Sequence, residues 1–135
     1  MKTVMAFGTF DLLHPGHINF LRQAKKHGSL FVIIARDRTV KRLKGKLPRH
    51  NEKQRLKAVK ASGMADKVVL GSLTNKYAAI KKYRPNIIAL GYDQKYFTDQ
   101  LRVELKKLKL KTKIIRLKAF KPKKFKTSIL KKIKI

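Results

Sequence analysis

The sequence predicts an α/β protein: a single doubly wound, parallel sheet of five strands with helices on both faces. Three observations predict it. Short apolar runs alternate with amphipathic stretches along the chain, the pattern of repeated strand–helix units. The runs are continuously apolar, as in Leu30-Phe31-Val32-Ile33-Ile34-Ala35, which marks strands covered on both faces. Residues with chemistry gather just after the strands, where such sheets bind ligands.

The strands are expected at Thr3–Phe7, Leu30–Ala35, Lys67–Leu70, Ile87–Leu90 and Lys113–Leu117. Helices are expected at about Pro15–His27, where Ile18, Leu21 and Ala24 recur at helical spacing, and at Asn51–Ser62, Lys76–Tyr83 and Asp99–Lys109. A short final helix is expected to begin near Thr127. Gly28, Gly63 and Pro85 fall where helices should stop. Arg36–Lys46 and Gly91–Gln94 read as loops beyond strand ends, so together with Gly8–His17 three segments converge on one place. No repeat is visible, and neither GxGxxG nor GxxxxGK[ST] occurs, which excludes those two nucleotide-binding fingerprints.

The 135 residues, 43% of them hydrophobic, fit one domain spanning 1–135. No apolar run reaches the ~20 residues of a membrane span, and the chain enters a strand without a signal peptide. Cysteine is absent, which excludes disulfides and thiolate metal sites and fits a cytoplasmic setting. Lys and Arg total 36 against 7 acids, a net charge of +29. That balance suggests nucleic acid, but the excess is spread along the chain without interleaved aromatics, so only nonspecific attraction is expected. Among so few carboxylates, Asp11, Asp37 and Asp93 follow strands and are functional candidates, whereas Asp66 and Asp99 read as turn or cap residues.

The richest stretch is Gly8-Thr9-Phe10-Asp11-Leu12-Leu13-His14-Pro15-Gly16-His17. Pro15 suits a first helical position, and Gly16 admits a ligand close to the backbone. Free N–H groups and the helix dipole favour an anion there. His14 and His17, at i and i+3, can reach the same phosphate. The string resembles the HxGH signature of the nucleotidyltransferase superfamily, and more closely GxFDxxHxGH of its cytidylyltransferase-like branch, which implies a Rossmann-like fold.

Further segments extend the resemblance. Lys44-Gly45-Lys46 matches a Lys-x-Lys that relatives use on phosphates, and Arg55 in Asn51-Glu52-Lys53-Gln54-Arg55 matches an arginine that helps bind nucleotide. Asp93, in Gly91-Tyr92-Asp93-Gln94, is placed to hold a ribose. Thr127-Ser128 is similar to the second signature of the superfamily, without its preceding arginine, and Lys124 or Lys126 stands in for that charge. Together, "ARDRTVKRLKGK", "NEKQR", "GYDQ" and "TSI" most closely resemble the archaeal FAD synthases, which are FMN adenylyltransferases.

That resemblance implies AMP transfer from ATP to FMN, giving FAD and diphosphate, with ATP and FMN as substrates and a divalent metal such as Mg²⁺ accompanying ATP. His14, His17, Lys44 and Lys46 would be catalytic. Gly8, Thr9, Phe10, Asp11, Pro15, Gly16, Arg55, Asp93, Phe120, Thr127 and Ser128 would contact the nucleotide, with Phe120 near the base and no protein residue assigned to metal. Asp11 would orient the motif loop or a metal-bound water. Family resemblance also implies a homodimer. The alternatives are a glycerol-3-phosphate cytidylyltransferase and a non-enzymatic nucleic-acid-binding protein.

Overall fold

Strand β1 (Thr3–Gly8) is the centre of the molecule because both of its faces are apolar. Val4 and Ala6 belong to one buried cluster and Met5 and Phe7 to the other. In the computed structural model, which describes residues 2–92, 94 and 100–119, five parallel strands lie in the order β3-β2-β1-β4-β5. The others are β2 (Ser29–Ile34), β3 (Lys67–Leu70), β4 (Ile87–Leu90) and β5 (Lys113–Arg116). The chain steps outward from β1 to β2 and β3, then returns to place β4 against β1. The β1–β4 boundary is thus the switch point, where crossovers diverge and leave a crevice beyond the strand ends.

Among the described residues, five helices cover the sheet: α1 (Pro15–Lys25), α2 (Asp37–Lys44), α3 (Glu52–Ala61), α4 (Ala78–Tyr83) and α5 (Leu101–Lys107). Leu21 and Ala24 of α1 and Val59 of α3 pack with Val4, Ala6, Val32 and Ile34. Ile80 of α4 and Leu101 and Leu105 of α5 pack with Met5, Phe7, Ile33 and Ile88 on the opposite face. The doubly wound expectation holds, and all five strands fall where the apolar runs stood, within a residue or two at the ends.

One element departs from expectation. Asp37–Lys44, read as loop, is helical. It has only Thr39 and Val40 to bury, so cations masked its period. Tertiary contacts supply what the pattern lacks: Glu52 accepts the Asp37 N–H at 2.8 Å, and Gly45 closes the helix in the left-handed region (φ 81°), donating to Lys41 O at 2.8 Å.

Candidate active site

The loop between β1 and α1 is tightly specified. Phe10 and Leu12 both take positive φ, 52° each, which is uncommon for side chains of this size. The turn throws the Phe10 ring back over Gly8, where a Cβ would sit 2.6 Å from Cε2, so position 8 requires glycine. Phe10 is buried in the core and meets His17 edge-on, with centroids 5.5 Å apart. Expected at the nucleotide, it instead lies behind His17 and supports it.

The two histidines build the start of α1 themselves. His14 is its N-cap: its Nδ1 accepts the Gly16 N–H at 3.1 Å, while His17 Nδ1 accepts the His14 N–H at 3.2 Å. The reciprocal pattern is a capping box made of imidazoles. The rings stack at 3.7 Å with 22° between planes. With both Nδ1 atoms accepting, each neutral ring carries its proton on Nε2, and both Nε2–H groups remain available as donors. Burial is the main cause that lowers both pKa values. For His17, the neighbouring His14 and Lys44 lower it further against the opposing pull of Asp11, bringing it to about 4. At neutral pH the pair is therefore two uncharged donors.

Asp11 clasps a second segment. Its carboxylate accepts the N–H groups of Arg49 (2.7 Å) and His50 (2.9 Å). Burial alone would raise its pKa, but those two bonds and the Arg55 and His50 charges outweigh it and hold it below the usual carboxylate range. Arg55 is fully buried. Its Nε donates to His50 O (3.0 Å), Nη1 to Thr9 O (2.9 Å) and Ala35 O (2.8 Å), and Nη2 to Asp37 Oδ1 (2.7 Å). The expected nucleotide contact gives way to a strut joining the ends of β1 and β2 to the start of α3, because a buried guanidinium must spend its donors on fixed acceptors. Arg36 adds a brace, donating to Gly71 O at 2.9 Å and pairing with Glu52 at 3.2 Å.

On the other side of the crevice stands Gln94, to which the sequence pattern assigns no role. Its amide donates to Phe7 O (2.8 Å) and accepts the Gly91 N–H (2.8 Å), a side-chain rung joining the ends of β1 and β4. Arg116, at the end of β5, donates to Gly91 O and Gln94 O. Neither role has a local signal, since the partners lie 87 and 25 residues away. Asp66 has the structural role expected, accepting from Leu30 N–H and Lys25. Lys44 ends α2 and Lys46 follows Gly45, both exposed. Asp93, Phe120, Thr127, Ser128 and the expected final helix lie outside the described residues.

Residues 5–133 match the cytidylyltransferase-like family. The chain belongs to that family. Among its cytidylyltransferase-like relatives, the FAD synthase of Methanosarcina barkeri is 49% identical over 118 residues, covering 87% of this chain and 84% of the relative. The FAD synthase of Aciduliprofundum boonei is 46% identical over 121 residues, 89% and 80% of the two chains. A solved structure, the lipopolysaccharide core biosynthesis protein of Thermoplasma volcanium, superposes with a TM-score of 0.82 at 39% identity, covering 89% of this chain and 98% of that one. Among the described residues, no helix is long and apolar enough to cross a membrane.

Proposed function

We propose that this cytidylyltransferase-like protein is an FMN adenylyltransferase: ATP and FMN react to give FAD and diphosphate. Identity of 44–49% to archaeal FAD synthases over most of the chain carries the choice of substrates. The stacked His14–His17 pair at the helix start beyond β1 supports the chemistry.

An oxygen of the FMN phosphate attacks the α-phosphorus of ATP, the bond to the bridging oxygen breaks, and diphosphate leaves. No covalent enzyme intermediate is needed, so catalysis rests on positioning and charge stabilisation. The Nε2–H donors of His14 and His17 hold the α-phosphate and the bridging oxygen as negative charge grows there. Being neutral beforehand, they cost little to bring against the phosphate and gain proton affinity as charge develops. The backbone at Gly8 and Thr9 lies beside the triphosphate, kept in place by Arg55 on Thr9 O. Lys44 and Lys46 attract phosphate, Asp93 holds the ribose, and Thr127 and Ser128 take the β,γ end.

Among the described residues no three His, Asp or Glu side chains form a metal cage. Both Asp11 oxygens are engaged by backbone. A divalent cation accompanying ATP would neutralise phosphate charge, and no step here runs through it.

The test is diphosphate release with ATP and FMN, with FAD identified as product. CTP should support it poorly. Better turnover with CTP and glycerol 3-phosphate would move the assignment to a cytidylyltransferase.

A further inference from the structure

Six large apolar side chains stand exposed among the described residues: Leu12, Leu43, Leu47, Leu73, Tyr92 and Val103. Scattered singly they would need no explanation. Five of the six, all but Val103 on α5, lie in segments that follow the carboxyl ends of β1 to β4, at the ligand-binding end of the sheet.

Leu12 is the most informative. It holds a left-handed backbone and still leaves 43% of itself exposed. Each is unfavourable for leucine, and together they point to function rather than packing. Its neighbour Asp11 grips the N–H groups of Arg49 and His50, which draws this loop against the stretch leading from α2 to α3. Across the last turn of α2 and into that stretch, residues 41–47 are exposed without a break, with Leu43 and Leu47 flanking Lys44 and Lys46. Lys44 lies close enough to His17 to influence its charge state. Asp11 thus ties the loop that carries Leu12 and the histidine pair to the segment that follows these leucines and cations, at one end of the sheet.

We propose that Leu12, with Leu43 and Leu47, forms the surface on which the apolar, dimethylbenzene end of the acceptor's flat ring system lies while Lys44 and Lys46 take its phosphate. Leu12 is then a specificity-determining residue for a flavin acceptor. The inference rests on the adenylyltransferase reading above. FMN carries a broad flat tricycle, apolar at its dimethylbenzene end, and a phosphate on one chain, matching a rim of leucines and lysines. A small polyol phosphate presents no apolar area for the leucines to cover.

The experiment is Leu12→Asn in the full chain. Asparagine tolerates the left-handed region, so the loop is kept while the apolar contact is lost. The KM for FMN should rise about tenfold, the scale of one leucine contact, while the KM for ATP stays within about twofold. FMN fluorescence titration beside a non-hydrolysable ATP analogue should weaken by the same factor. Leu47→Gln should act in the same direction, less strongly. An unchanged KM for FMN in a folded Leu12→Asn protein overturns the proposal. So does a variant that loses a wild-type self-association while keeping its FMN affinity, since the rim would then belong to a second copy. A wild-type protein that ignores FMN and uses another acceptor defeats the functional reading and this inference together. Normal FMN use by wild type with an indifferent variant defeats this inference alone.

Discussion

The Gly8–His17 loop and residues 41–47 both border the carboxyl end of the sheet, yet they are held in opposite ways. The first is fixed from several directions: Phe10 packed under it, Asp11 tied to Arg49 and His50, Thr9 O held by buried Arg55, and two histidines bonded into the helix start. The second is exposed throughout, and none of its cations has a carboxylate partner among the described residues. The difference follows the demands of the chemistry. Groups that stabilise a transition state gain from being preorganised. Groups that gather a charged substrate gain from reach and unpaired charge.

The sharpest way to break this comparison is His17→Ala. Loss of one preorganised donor should lower kcat about 10²–10³-fold with the fold intact, measured by diphosphate release. His14→Ala should lose similar activity and also destabilise the protein by about 1 kcal/mol, because His14 caps α1. Near-wild-type turnover in either folded variant would remove the histidines from the mechanism.

Arg55→Ala should show the rigid side from within. It leaves three carbonyls and Asp37 without their donor, so denaturant unfolding should record a loss of about 3 kcal/mol or more. A loss below about 1 kcal/mol would mean the strut is dispensable.

The third test is pH. His17, held near 4, binds its proton less readily when folded than the ordinary 6.5 of the unfolded chain. Between those values the unfolded state binds more protons, so stability is complete above about pH 6.5 and declines as pH falls toward 4. NMR titration of the His17 ring should show the low value, and ATP should raise it by adding negative charge. A ring titrating near 6.5 without nucleotide would contradict the neutral-donor picture.

Smaller effects belong to the exposed side. Gly45→Ala meets no atom within 4 Å but must hold φ 81°, so it should cost only about 1 kcal/mol by thermal melting. Nucleic acid should bind nonspecifically and release steeply with salt, with a slope of about −0.9 per neutralised duplex phosphate. Sequence-selective binding that survives physiological salt would show that the charge has a partner of its own.

Much of this molecule follows from local pattern alone. Doubly buried strands need continuous apolar runs, so Val4–Phe7 and Leu30–Ile34 announced the parallel sheet and hence the end at which ligands bind. His14-Pro15-Gly16-His17 announced the phosphate site because a helix start and its chemistry lie within one turn. What local pattern did not reveal depends on partners far along the chain. Arg55 reads as a nucleotide contact from its resemblance, and its role as a strut shows only where three chain segments converge on it. Phe10 reads as a ligand contact until a left-handed turn folds its ring beneath His17. Gln94 has no meaning until β4 returns to lie beside β1. Periodicity is a property of neighbours in sequence, whereas the partner of a buried polar group is chosen by the tertiary fold, which must supply it to offset desolvation.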